Sequence, residues 1–355
     1  MTENTLLIPC GGKSSRFPGM KPKYLLTHPD GKIMIEKAIC GINQDIFDRI
    51  IITIIKEHNE QYNSELILKQ IFNNNKKIEI CILDDFTKSA SETVFLTIKK
   101  MNITGSLVIK DCDNLVEINI SKDIQNGIIG YDLHKHPNIS NIPGKSFLTI
   151  NQNNTIKDIM EKQIVSNIIC LGVYCFKNVD DFIIAYNQLN QRNSTGEMFI
   201  SHIISYLLSN KKYIFQYIEA LNYEDYGTLN EWKNLQKNFR TYFCDVDGVI
   251  LKNCGKYGKT NWNNSKTILE ENVNEIIKLQ ENGAQIVITT SRTEEYRKDL
   301  EKILQDIGIK PYTIIMGLNH AARIIINDFA PTNPYPSGIA ITLPRDANLK
   351  DYLTN

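Results

Sequence analysis

The sequence predicts an α/β chain of two domains, and three observations predict it. Strand-sized apolar runs alternate with helical stretches at a pitch that suits parallel βαβ units. Two of those runs end in D-x-D: Gly105–Lys110 leads into Asp111-Cys112-Asp113, and Arg240–Cys244 into Asp245-Val246-Asp247. Ligands in open α/β sheets sit at such carboxyl ends. The 355 residues leave room for two cores, and the polar helical stretch Asn230–Asn238 closes the first. The boundary is expected near 236–240, giving domains 1–238 and 239–355.

In chain order, Leu6-Leu7-Ile8 reads as a buried strand that Pro9 is expected to stop. Gly11-Gly12 then turn the chain with amides exposed, and Lys13, Ser14, Ser15, Arg16, Lys21 and Lys23 follow. Free amides backed by cations make a cradle for phosphate oxygens; an ordinary basic loop is the other reading of the same residues. Neither standard phosphate loop fits. The dinucleotide fingerprint lacks its third glycine, and the P-loop lacks a glycine at position 7. Helices are predicted over Met34–Ile42, Gln61–Phe72 and Glu92–Met101, and strands over Arg49–Lys56, Ile78–Leu83 and Asn167–Phe176. Glu197–Leu208 reads as an amphipathic helix, and His134 and His136 as loop residues. In the second half, Ile268–Glu281 and Glu294–Ile307 read as helices. Ala284–Thr289, Thr313–Met316, Arg323–Ile326 and, in the Asn/Pro/Gly-rich tail, Gly338–Leu343 read as strands.

Composition removes several classes. Forty basic and forty acidic residues cancel, so no global field argues for nucleic acid, and no polybasic run argues for an anionic membrane. The longest apolar runs are strand-sized, and the N-terminus has no basic region ahead of a hydrophobic stretch. Eight cysteines stand singly, without C-x-x-C or a zinc quartet, which suits buried thiols in a reducing cytoplasm.

Two carboxylates on a loop after a strand can hold Mg²⁺ through few protein oxygens plus substrate phosphates. A solvated acidic turn is the plainer account of Asp111-Cys112-Asp113 taken alone. On G-G-x-x-x-R, Gly11 to Arg16, and K-P-K-x-L, Lys21 to Leu25, the chain resembles the sugar-phosphate nucleotidylyltransferases. The resemblance implies that Pro9, Cys10, Gly11, Gly12, Lys13, Ser14 and Ser15 hold a nucleoside triphosphate. Arg16 and Lys23 would steady the charge at the α-phosphate. It pairs Asp113 with Asp225 of the D-x-G-T segment as Mg²⁺ ligands, with Asp111 beside them. Glu92, in Ser89–Thr93, would contact base and ribose, although Ser89 or Ser91 also reads as a helix cap. Glu161-Lys162 matches an E-K-P element whose lysine touches the acceptor's phosphate; Gln163 replaces the proline.

The second D-x-D, followed by Gly248, suits phosphoryl transfer: Asp245 to attack phosphorus, Asp247 to move the proton. This segment resembles the haloacid dehalogenase-like phosphatases. The resemblance adds Thr290 as the phosphoryl-oxygen donor and Asp328 as the acid that joins Asp245 around Mg²⁺. Asn327 departs from the pattern, and no lysine stands near Asn319-His320, leaving Lys310 or Arg323 to balance the charge. The gaps between motifs leave no room for a large cap domain.

Together the resemblances imply two Rossmann-like domains: a nucleotidyltransferase-type mixed sheet and a capless haloacid dehalogenase-like parallel sheet. The expected function is bifunctional, in surface (capsular) polysaccharide precursor synthesis. An NTP, with CTP preferred, would be joined to a sugar or polyol phosphate with release of pyrophosphate, and a phosphomonoester would be hydrolysed through an aspartyl-phosphate. The alternative is a nucleotidylyltransferase with a non-catalytic second domain for binding or assembly; a sensing or scaffold protein ranks last. Mg²⁺ is the expected cofactor, and homo-oligomerisation stays open.

Overall fold

The computed structural model describes residues 3–136, 139, 141–192, 196–210, 212–328 and 338–353. It forms two compact units, Met1–Trp232 and Lys233–Asn355.

The first unit opens with β1 (Asn4–Pro9), α1 (Met34–Cys40) and β2 (Arg49–Ile55), then α2 (Lys56–Tyr62), α3 (Ser64–Ile71) and β3 (Ile78–Leu83). It continues through α4 (Ala90–Met101), β4 (Ser106–Lys110), β5 (Asn114–Glu117) and β6 (Gly127–Asp132). After β7 (Ser146–Ile150), β8 (Ile156–Glu161) and β9 (Ile168–Phe176) come α5 (Val179–Arg192) and α6 (Ile200–Ser209). It closes with β10 (Gln216–Glu219), β11 (Asn222–Asp225) and the start of α7 (Leu229–Asn238). The main sheet runs β10-β6-β9-β4-β1-β2-β3, with β7 pairing β9 and β8 pairing β7. β1, β2, β3 and β4 pair in parallel, whereas β9 runs antiparallel to β4 and β6, so the sheet is mixed.

The alternation of the first strand explains why it sits centrally. Leu6 and Ile8 enter one core layer with Ile50 and Ile52, and Leu7 enters the other with Ile51 and Ile109. All seven are fully buried. A strand covered on both faces carries no polar alternation, which is why it reads as a continuous apolar run.

Pro9 does not stop the ladder: it stays in register opposite Thr53, and the next amide, Cys10 N, bonds Thr53 O at 2.8 Å. A parallel strand tolerates a missing donor at its last residue. The helix expected over Gln61–Phe72 is two helices, because Asn63 takes a left-handed conformation (φ 52°) that ends α2 and starts α3. Asparagine adopts that conformation at small cost.

The second unit has β12 (Thr241–Asp245), α8 (Lys259–Asn264), α9 (Glu270–Glu281), β13 (Gln285–Thr289), α10 (Arg297–Asp306) and β14 (Thr313–Ile315). Its sheet is parallel, in the order β12-β13-β14. Val273 and Ile276 of α9 and Leu300 and Leu304 of α10 bury against Ile286 and Ile288. Between β12 and β13 lie two helices and, among the described residues, no further sheet.

Two expected strands of this half are absent. Arg323–Ile326 and Gly338–Leu343 have no regular structure, and Ile324 and Ile326 are 82% and 94% exposed. Three β-branched residues favour a strand only where a neighbouring edge and a covering layer receive them. The tail residues 329–337 lie outside the described residues.

Candidate active sites

In the first unit the glycine turn leans on the start of α4. Gly11 O accepts from the Thr87 amide (3.3 Å) and from Thr87 Oγ1 (3.3 Å). A Cβ on Gly11 would lie 2.5 Å from Thr93 Oγ1, so only glycine allows this approach. Gly12, Lys13, Ser15 and Arg16 are exposed beyond it, with Lys13 Nζ 5.6 Å over the Phe86 ring. Ser14 Oγ accepts from the Lys23 amide (3.2 Å), which ties the loop to the second lysine. Cys10 is buried against Cys112, and burial pushes its thiol well up. Ser89 caps α4 by accepting from Glu92 N (3.2 Å), and Glu92 Oε2 turns back to the Lys88 amide (2.5 Å). Glu92 therefore closes a helix start at the loop's edge.

A short ladder brings the two acidic segments together. β11 pairs antiparallel with β5, Asp225 opposite Asn114, and Tyr226 N bonds Asp113 O (2.9 Å). A Cβ placed on Gly227 would sit 3.0 Å from Asp225 Oδ1, 3.3 Å from Asp113 Oδ2 and 3.8 Å from Arg16 Nη1. Two carboxylates and a guanidinium thus surround one point. Lys23 Nζ lies 2.5 Å from Asp113 Oδ2, and Lys145 Nζ bonds Asp225 Oδ2 and the Tyr223 hydroxyl (2.7 Å).

Electrostatics follow from this crowding. Burial opposes the charge of Asp113, but Lys23, Arg16 and Lys110 outweigh it and hold the carboxyl well below its ordinary range. Asp111, pushed first by burial and then by Asp113, rises to about 6. Beneath them Lys110 is fully buried, its ammonium bonding Asp111 O (2.6 Å), Asn114 O (2.9 Å) and Asn114 Oδ1. Burial lowers its pKa to about 8 against the pull of the neighbouring acids.

The donor set fits Mg²⁺. Asp113 and Asp225 supply hard oxygens, and no group of three acid, histidine or cysteine ligands occurs among the described residues. Mg²⁺ is commonly bound by one or two carboxylates and completed by substrate phosphates and water.

The expected acceptor pair is split. Glu161 Oε2 accepts from Ser146 Oγ (2.5 Å) and Ser201 Oγ (2.7 Å). Lys162, with φ 53°, is exposed and lies 4.3 Å over Phe199.

In the second unit Asp245 ends β12 opposite Thr289, beside Thr290 at the end of β13. Burial raises the Asp245 carboxyl, and Arg323 Nη2 stands 3.9 Å from its Oδ1. Both oxygens of Asp247 are held: Arg292 Nε reaches Oδ2 (3.0 Å), Arg292 Nη2 reaches Oδ1 (2.7 Å), and Asn261 Nδ2 adds a third bond to Oδ1 (3.1 Å). Thr290, fully buried, accepts the Arg292 amide on Oγ1 (3.1 Å). Gly248 N bonds Leu251 O (2.7 Å), closing the turn after Asp247. Asp328 lies on the irregular stretch after Arg323, its amide bonded to Asn327 Oδ1 (3.0 Å).

Sequence reasoning missed Lys110, Lys145, Asn261 and Arg292. A lysine ending an apolar strand beside D-x-D, and an arginine two residues after the motif threonine, were signals for two of them.

Comparison with known proteins agrees with this division. Residues 242–323 match the family model of the haloacid dehalogenase-like hydrolases. No curated protein matches the chain. Two thirds of the chain shares its fold with nucleotide-handling proteins of solved structure. One is a nucleoside-diphosphate-sugar pyrophosphorylase from Vibrio cholerae RC9: TM-score 0.54, 18% identity, 65% of this chain and 98% of that one. Another is the inositol-1-phosphate CTP transferase from T. maritima: TM-score 0.51, 12% identity, 66% of this chain and 94% of that one. The first two thirds therefore have a nucleotidyltransferase-like fold, and the last third carries a haloacid dehalogenase-like segment.

No helix among the described residues is long and apolar enough to cross a membrane.

Proposed function

We propose that the chain is a bifunctional enzyme whose first unit transfers a nucleotidyl group and whose second hydrolyses a phosphomonoester. The observation that carries the first activity is the convergence of Asp113, Asp225 and Arg16 around Gly227, with Lys23 on Asp113. An acceptor phosphate oxygen would attack the α-phosphorus of an NTP. The bond to the bridging oxygen breaks, and pyrophosphate leaves with that electron pair. The protein's task is to position an in-line attack and neutralise the charge on the equatorial oxygens. Arg16 and Lys23 supply that neutralisation from the loop, and the Gly11 turn and the start of α4 flank the nucleotide. Mg²⁺, held by Asp113 and Asp225, would add a further charge at the phosphates.

The acceptor is a sugar or polyol phosphate, and CTP is the preferred nucleotide, in keeping with the inositol-1-phosphate CTP transferase among the similar folds. Capsular precursor synthesis is the fitting context. The cysteines, all without disulfide partners, suit the cytoplasm.

In the second unit Asp245 would attack a phosphomonoester to give an aspartyl-phosphate, with Asp247 moving protons to the leaving oxygen and from water. Arg323, 3.9 Å from Asp245, stands where charge must be balanced. Mg²⁺ there would use Asp245 and Asp328. One observation favours the alternative of a non-catalytic second unit: the stretch bearing Asp328 is outside the sheet. Turnover of an aryl phosphate decides between them. Activity abolished by Asp245→Asn supports catalysis; none in the unaltered protein leaves the binding role.

A further inference from the structure

Two lysines, not one, hold the paired carboxylates of the first unit. Lys23 takes Asp113, and Lys145 takes Asp225 while its ammonium also meets the Tyr223 hydroxyl. Both pairs are largely shielded, with side-chain exposures of 21% and 13% in the first and 14% and 10% in the second. Lys145 and Lys162 are backbone neighbours, Lys162 N bonding Lys145 O at 3.1 Å, but their side chains part. Lys162 goes to Phe199 and Lys145 to the Asp225 carboxylate.

We propose that Lys145 receives the acceptor's phosphate, and that it rests on Asp225 until a divalent cation takes that carboxylate. The inference rests on the nucleotidyl-transfer reading above. A divalent cation on Asp225 repels the ammonium beside it and weakens its hold on that carboxylate. A lysine head on a four-carbon stem moves at little cost, and the nearest anion once substrate is present is the attacking phosphate. The Tyr223 ring, 5.3 Å from the ammonium, keeps a second hold on it. Behind that ring, Tyr131 meets Tyr223 edge-on at 6.2 Å and is itself buried with His136 stacked on it at 3.5 Å, so the Tyr223 ring is braced from the core side.

The test separates this inference from the reading beneath it. Mn²⁺ is titrated into nucleotide-free protein and the free ion followed by its spin-resonance signal, for the unaltered chain, Lys145→Met and Lys145→Arg. With the competing ammonium removed, Lys145→Met should bind Mn²⁺ about fivefold tighter, while Lys145→Arg stays close to the unaltered protein. In a pyrophosphate-release assay Lys145→Met should raise the acceptor KM about tenfold or more and leave the NTP KM unchanged. Mn²⁺ affinity that is equal or weaker in Lys145→Met, or NTP and acceptor KM values that rise together, overturns the proposal. Absence of pyrophosphate release by the unaltered protein defeats nucleotidyl transfer instead, and the Mn²⁺ titration still decides whether Lys145 competes for Asp225.

Discussion

Arg292 grips Asp247 with both arms of its guanidinium, Nε at 3.0 Å from one carboxylate oxygen and Nη2 at 2.7 Å from the other. The arginine is 2% exposed, so this fork fixes the plane of the carboxylate from within the second unit. Arg292→Lys keeps the charge but loses the fork. It should lower kcat for an aryl phosphate about 10²-fold with little change in KM, because a misplaced proton donor costs roughly that much. Steady-state kinetics check this, with a thermal melt to confirm folding. An unchanged kcat would show that Asp247 needs no such grip.

Gly11 gives a second prediction, on the first unit. Its place is fixed by contact rather than by backbone twist, a Cβ there being 2.5 Å from Thr93 Oγ1. Gly11→Ala should push the loop off α4, cost about 1–3 kcal/mol in stability and raise the NTP KM. Denaturant unfolding and nucleotide titration measure the two effects. A loop that absorbs the methyl group with nucleotide affinity intact would show that α4 does not set its position.

The third prediction concerns pH. Burial and Asp113 raise Asp111 to about 6 from an ordinary 3.8. Its ionised form is therefore penalised in the folded state. The penalty is full above the folded pKa, shrinks as pH falls through it, and is gone below the unfolded value. In metal-free protein Asp111→Asn should raise stability by about 1–3 kcal/mol at neutral and higher pH. The gain should fade between roughly pH 6 and pH 4. Thermal melts across that range check the sign; a gain that grows on acidification contradicts it.

Some of this was legible in the chain and some was not, for physical reasons. The central strand at Leu6–Ile8 announces itself because burial on both faces leaves no polar residue in it. The loop residues Gly11, Arg16 and Lys23 are local in sequence, so their spacing carries the signal. Asp113 and Asp225 meet through the β5–β11 ladder, and β5 is four residues long. A pair so short has no periodicity to read, and only the resemblance linked the two acids. Lys145 and Arg292 are ordinary residues until a distant carboxylate faces them. Arg323–Ile326 misled in the opposite way: its composition favours a strand, but no sheet edge takes it up.

Nucleotidyl transfer by the first unit is measured as pyrophosphate release from the four common NTPs, each offered sugar and polyol phosphates with and without Mg²⁺. Release is expected with at least one pair, CTP first among them, dependent on Mg²⁺ and reduced about 10³-fold or more by Asp225→Asn. No release from any pair, or release undiminished in Asp225→Asn, would contradict that activity.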